Sequence, residues 1–411
     1  MNPRVRGVLL ACAGLLAVFA GWRIVGQMQA ERHAASAPAR ALDWRPQHPR
    51  ALQARAALQM RAGDSAGAAA TARQLLAHEP LQGQAFRLVG EAALAAGDLR
   101  QALRLHELAA QRAPRDVAAR AWLAQHYLQQ GDYPQALVQI DRTLRLVPQR
   151  AAKVLPVLVQ MAREPGFANA LAATLRSRPP WRPQMLAALR APGAGDPGAA
   201  NRVMRALHAK GGLDADEYAR WLDSLIAMGR WGEAQALWAG SLTLPEGRLP
   251  LLYNGDFAAI PTDAGFDWRR RKVAGVLLQV AAEPGTGGNA AYLRFLDRRV
   301  PQAGLEHPLL LAPGPYALHM RLRARALRSA LGLQWQLACA GPAGIIGRSE
   351  PVEGSFEWQE RRIAFTVPAQ GCPGLWLRLV NPVSGAGAAQ RIAGELWLDD
   401  ARIARADRQQ D

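Results

Sequence analysis

The stretch Gly97–Pro148 reads GDLRQALRLHELAAQRAPRDVAARAWLAQHYLQQGDYPQALVQIDRTLRLVP, and its spacing decides the fold of the first half of the chain. Gly97-Asp98 returns as Gly131-Asp132, Ala102 as Ala136 and Pro114 as Pro148, each 34 residues on. Reading backward, Gly63-Asp64, Ala68 and Pro80 keep the same register. Three position classes sharing one period mark a repeated supersecondary unit. Gly accepts the turn between two helices. Ala lets the paired helices approach closely. Pro ends the second helix because it cannot continue the hydrogen-bond ladder.

This pattern resembles the tetratricopeptide repeat family. In the copy that starts near Val117, Leu123 and Tyr127 fill the first helix, Gly131 turns, Ala136 is the small contact residue and Pro148 closes the unit. The copy before it matches at Val89, Gly90, Gly97, Ala102, Ala109 and Pro114, whereas the first keeps only Gly63, Ala68 and Pro80 and reads as a degenerate cap. The resemblance implies an all-α array over 31–149, linker included, with a groove that binds a protein partner, and no catalysis.

Residues 150–249 read as helical pieces punctuated by Pro165, Pro179-Pro180, Pro183 and the Pro192–Gly198 cluster. Tyr218–Trp238 repeats the helix-pair pattern, with Leu222, Leu225 and Ile226, then Gly229, then Trp231, Ala234, Leu237 and Trp238. The expectation is a degenerate continuation of the array.

From about Leu251 the period changes to two. Tyr316, Leu318, Met320 and Leu322 alternate with Ala317, His319, Arg321 and Arg323. Leu331 to Cys339, Ile363 to Val367, Leu375 to Leu379 and Leu396 to Leu398 repeat the alternation. Such runs predict half-buried antiparallel strands stacked as an all-β sandwich over 250–406, with 407–411 as a tail.

Asn254-Gly255-Asp256-Phe257 and Gly265-Phe266-Asp267-Trp268 open this region, and Trp397-Leu398-Asp399-Asp400-Ala401-Arg402-Ile403 closes it. These motifs resemble the galactose-binding-like jelly rolls of the carbohydrate-binding module superfamily. The resemblance implies glycan binding on aromatic faces, and a structural calcium between the opening segment and the last strand. The glycan candidates are Trp268, Trp358 and Trp376, with core packing as the competing role for each. Trp376 and Trp397 are out of phase with their neighbouring leucines and point to the opposite face. The calcium candidates are Asp256 and Asp400, although Ala258 stands where the family places an acid. Otherwise no cofactor is expected.

The N-terminus carries Arg4 and Arg6, then sixteen uncharged residues from Gly7 to Trp22, then Arg23. A positive start followed by an apolar run has the form of an export signal. The expectation is an uncleaved anchor over 1–30, with cleavage after Ala20 as the alternative. A lipidated Cys12 is disfavoured, because most of the apolar run follows it. Arg4 and Arg6 before the run predict a single-pass bacterial inner-membrane protein with its bulk in the periplasm. In that oxidising compartment Cys339 and Cys372 are expected to form a disulfide.

The net charge of +17 is evenly spread: +4 over 1–45, +4 over 46–149, +5 over 150–249 and +4 over 250–411. A nucleic-acid partner is not expected, because such proteins gather their charge on one face or tail. His106-Glu107 begins a metalloprotease-like pattern that Ala110 breaks. Asp399-Asp400 falls at a strand end, and Asp214, Asp216 and Glu217 at a helix start, where acids favour the dipole. Neither cluster has a visible acid/base partner. The expectation is a non-enzymatic, membrane-anchored envelope scaffold whose repeats bind a protein and whose jelly roll binds a glycan, in surface polysaccharide assembly or export. The alternative is a purely protein-binding scaffold.

Overall fold

The three Gly-Asp pairs do two things at each turn. Gly63, Gly97 and Gly131 adopt φ of 82°, 83° and 73°, a region that glycine enters at little cost because it has no Cβ. The aspartate that follows then caps the next helix. Asp64 accepts from the Gly67 amide at 2.8 Å, Asp98 from Gln101 at 2.9 Å and Asp132 from Gln135 at 3.2 Å. Each such cap contributes about 1 kcal/mol.

The computed structural model describes residues 3–191, 197–243, 249–282, 288–383 and 390–406. Most of the Pro192–Gly198 cluster and the tail 407–411 lie outside the described residues. The chain forms two units, one of 1–189 and 193–212, the other of 190–192 and 213–411.

In the first unit the repeats are helix pairs: α3 (Pro49–Arg61) with α4 (Ser65–His78), α5 (Gly83–Ala95) with α6 (Leu99–Arg112), and α7 (Val117–Gln129) with α8 (Tyr133–Leu146). Ala68, Ala102 and Ala136 are fully buried, as close helix contacts require. The first pair is complete rather than degenerate. Its Ala51, Leu52 and Leu75 pack with Ala34, which follows α1 (Pro3–His33), and with Ala41 and Leu42 of α2 (Pro38–Trp44). Helices α9 (Ala151–Met161), α10 (Pro165–Arg176), α11 (Arg182–Arg190) and α12 (Pro197–His208) follow. Phe167, Leu171 and Met185 are buried among them. The buried Arg182 guanidinium donates to the Leu175 carbonyl and, at 2.6 Å, to that of Gly212.

The sequence predicts a membrane helix at 1–30. Among the described residues no helix is long and apolar enough to cross a membrane. Leu15, Leu16, Val18, Phe19 and Trp22 of α1 are exposed.

In the second unit two five-stranded antiparallel sheets face each other. The first has the order β1 (Arg269–Arg270), β4 (Gln302–Leu309), β9 (Leu375–Val380), β6 (Gln334–Cys339), β7 (Ile345–Arg348). The second has the order β2 (Val276–Ala282), β3 (Asn289–Arg299), β10 (Arg391–Arg405), β5 (Gly314–Arg328), β8 (Gly354–Val367). Leu318, Met320 and Leu322 meet Leu375, Leu377 and Leu379 in one core with Trp335, so the period-two alternation places one residue in two inside. Cys339 and Cys372 are disulfide-bonded, joining the end of β6 to the segment before β9.

The helix pair expected to continue the array belongs to this second unit. Helices α13 (Ala215–Ala227) and α14 (Trp231–Gly240) lie within 213–411. The reason is aromatic: Trp231 packs edge-on against Phe266 and Trp376, and Trp238 against Tyr253. Asp214 opens α13 with a capping box, its side chain accepting from Glu217 N while Glu217 accepts from Asp214 N.

Candidate functional site

The opening motifs of the sandwich form a polar knot. Asn254, at φ 55°, exchanges hydrogen bonds with the Ala259 backbone and donates to Asp267 at 3.2 Å. Asp267 also accepts from the Thr262 amide at 2.8 Å and the Thr262 hydroxyl at 3.0 Å. Trp268 donates its indole N–H to the Asn254 carbonyl at 3.0 Å, stacks on Phe257 and meets His307 edge-on. With 0% exposure, Trp268 has no face to offer a sugar, and its role is core packing. Sequence reasoning passed over Asp267 as the anchor of this knot. Its partners Asn254 and Thr262 reach it only through the fold of the loop, so its position in the sequence carried no signal.

The opening segment does meet the last strand. Ala401 donates its amide to the Gly255 carbonyl at 2.9 Å, and a side chain at Gly255 would collide with the Ala401 carbonyl. The calcium candidates do not fit a metal there. Asp400 pairs with Arg402 at 2.6 Å, and Asp256 accepts from the Ala258 amide at 3.2 Å. Among the described residues no group of three His, Cys, Asp or Glu side chains is placed to hold an ion. Burial raises the Asp399 carboxyl above its usual range, while the hydrogen bond from the Asp400 amide pulls it back.

Trp376 points away from the core, as its phase requires, and is half-buried against its own chain. Trp231 of α14 sits edge-on to it at 5.6 Å, and Arg378 and Arg269 lie over its ring at 4.7 and 5.2 Å. Arg269 is buried and pairs with Asp223 of α13 at 2.8 Å. Burial lowers the Arg269 pKa, and Asp223 opposes the shift. The outer side of the first sheet is therefore covered here by the chain's own helices.

The outer side of the second sheet is different. Gln279, Tyr292, Trp397 and Arg323 lie side by side across β2, β3, β10 and β5. The next row is Leu277, Arg294, Glu395 and Arg325. Tyr292 and Trp397 are tilted rings 4.9 Å apart, and the Arg323 guanidinium lies 5.3 Å from the Trp397 ring. Trp358 of β8 carries Arg321 at 5.1 Å. The Tyr292 hydroxyl donates to Glu395 at 2.9 Å, and Arg323 pairs with Glu357 at 3.1 Å. A shallow hollow of about 530 Å³ opens between Arg323, Arg325, Ser355 and Glu357. Of the three predicted glycan residues only Trp358 lies on this face. Tyr292 and Trp397 were not among them, although the phase of Trp397 against Leu396 and Leu398 placed it outside.

In the repeats, His106 is buried, hydrogen-bonded at Nδ1 to the Ala102 carbonyl at 2.8 Å, and stacked on Trp122. Burial lowers its pKa. Glu107 accepts from the Tyr127 hydroxyl at 2.7 Å. The metalloprotease-like pair thus serves helix packing. The partly buried Arg87 bridges Glu91 and Asp116.

Residues 93–155 match the Tetratricopeptide repeat family model. A comparison with curated proteins finds no match. Among solved structures, the chain is similar to a thermophilic tetratricopeptide repeat protein of Thermus thermophilus, at 21% identity and TM-score 0.25, over 50% of this chain and 98% of that one. It is also similar to a CBM4 structure, at 13% identity and TM-score 0.29, over 38% of this chain and 99% of that one. A third is the CBM22-1 xylan-binding domain of Paenibacillus barcinonensis Xyn10C, at 14% identity and TM-score 0.26, over 37% and 91%. Residues 93–155 thus read as tetratricopeptide repeats, and the second unit is a two-sheet β-sandwich.

Proposed function

We propose that this protein is a non-enzymatic two-part binding protein. Its helical repeats hold a protein partner and its sandwich holds a glycan on the outer side of the second sheet. The observation that carries this reading is the Tyr292–Trp397 pair, a half-exposed aromatic platform flanked by arginine and glutamate side chains on the outer sheet face. Aromatic faces suit the apolar side of a sugar ring, and the neighbouring Gln279, Arg323 and Glu395 offer donors and acceptors for hydroxyls. Trp376, the other outward platform, is engaged by Trp231.

The setting we propose is the bacterial envelope. The N-terminal apolar run anchors the chain in the inner membrane and the remainder lies in the periplasm, serving surface polysaccharide assembly or export. The exposed Leu15, Leu16, Val18 and Phe19 support the anchor, and the Cys339–Cys372 bond supports the compartment.

Two experiments test the reading. The purified chain should bind polysaccharides with micromolar to millimolar affinity, and Trp397→Ala should weaken that binding. No binding to any glycan would leave only the protein-binding scaffold. Alkaline phosphatase fused at Gln47 should be active, whereas fluorescence of a cytoplasmic reporter fused there would refute the compartment.

A further inference from the structure

We infer that the glycan held on the outer face of the second sheet is an acidic polysaccharide, a chain of uronate-type sugars. Its carboxylates meet Arg294 and Arg325, and its rings lie on Trp397 and Tyr292. This deepens the glycan reading above and rests on it.

Cation placement is the first argument. Arg321, Arg323 and Arg325 occupy alternate positions of β5, so they repeat every ~6.6–6.8 Å along one face of one strand. Arg294 stands across the sheet from Arg325, with Glu395 between them. A row of cations along one strand suits a linear polyanion better than a single small anion. Two of these guanidiniums are already oriented, since Arg321 lies over Trp358 and Arg323 over Trp397. A guanidinium stacked by one face points its N–H edge at a carboxylate, as Arg323 does toward Glu357.

The second argument is the supply of unspent charge. Among the described residues, Arg294 and Arg325 have no ion-pair partner, and both are exposed. They flank Glu395, whose one carboxylate also accepts from Tyr292. Two cations to one anion leave this row short of negative charge, which a uronate supplies.

The third argument separates a glycan from a nucleic acid. Glu357, Glu395 and Asp399 are interleaved with the arginines on this face. The backbone of a DNA strand offers these carboxylates no hydroxyl to accept from, only phosphates that they repel. A polyuronate presents neutral hydroxyls between its carboxylates, and a protein carboxylate accepts from hydroxyls.

The test uses the full chain and three uronate polymers, polygalacturonate, alginate and hyaluronate, each beside its carboxyl-reduced form. Binding is followed by calorimetry at low and moderate salt. At least one acidic polymer should bind, and carboxyl reduction should weaken it roughly tenfold or more, as loss of charge-assisted hydrogen bonds does. Arg294→Gln with Arg325→Gln should give a similar loss, with the thermal midpoint unchanged because both side chains are exposed. Trp397→Phe, which keeps a ring on the platform, should retain most of the binding, and Trp397→Ala should lose it. Equal binding of the reduced polymers would overturn the acidic class and leave the glycan reading standing. Binding of no polymer would overturn both. Undiminished binding by the double arginine variant would place the site elsewhere, and tighter binding of oligo-dT than of any uronate polymer would overturn the inference in favour of nucleic acid.

Discussion

Trp231→Ala is the perturbation that tests how the second unit is built. Trp231 is 2% exposed, lies edge-on to Trp376 at 5.6 Å and to Phe266 at 6.0 Å, and closes over Gly374, where any added side chain would strike its ring. Truncating a buried Trp to Ala costs about 3–5 kcal/mol. Each edge-on aromatic pair supplies about 0.5–1.5 kcal/mol of that. The expected loss is therefore about 4 kcal/mol, confined to the unit that contains 213–411. Hydrogen exchange of the full-length variant separates the units, since each amide reports the opening of its own region. Amides of α14 and β9 should exchange faster by two to three orders of magnitude, while α5 to α8 keep their protection. Trp376 should also become accessible to oxidation. If protection falls in the repeats and persists in β9, the α13–α14 pair belongs to the helical array and the reasoning fails.

Three further predictions concern stability. Ala136→Leu should overpack the fully buried seam between α7 and α8 at a cost of about 1–3 kcal/mol in urea titrations, and a wild-type midpoint would put the repeat register in error. Reducing Cys339–Cys372, which closes a loop of separation 33, should cost about 3–4 kcal/mol, and thiol labelling of the unfolded, non-reduced chain should find only Cys12. His307 is buried between the Tyr253 and Pro308 carbonyls, and burial drives its pKa down to about 4. The unfolded chain then binds the proton more tightly than the native state does. Stability should be complete above the ordinary value of ~6.5, fall as pH drops below it and level off below about 4, for a total of ~3 kcal/mol. An NMR titration of His307 close to its ordinary value would contradict this.

The helical half was legible because its rule is local. A 34-residue period states where the chain turns, and Gly97, Gly131 and their aspartates turn and cap where that period requires. The strands were legible for the same reason: alternation along Tyr316–Leu322 reports a face without needing to know the neighbour. The assignment of each tryptophan was not legible. Trp268 and Trp376 differ in fate because Asn254 claims one indole and Trp231 covers the other ring, and Trp231 is distant in sequence from the ring it covers. The membership of α13 and α14 was hidden in the same way. Trp231 and Trp238 satisfy a helix-pair pattern equally well whether they face another helix or a sheet. Trp397 needed only its phase to be placed outside, but its platform needed Tyr292 from a strand far away in sequence.

The most direct measurement is an indole N–H titration by NMR. With the nitrogen-labelled full chain and increasing polygalacturonate, the Trp397 signal should shift in step with binding, while those of Trp268 and Trp335, buried in the core, stay in place. Binding that leaves the Trp397 signal still, or moves only the signals of tryptophans outside the second sheet, would contradict the account.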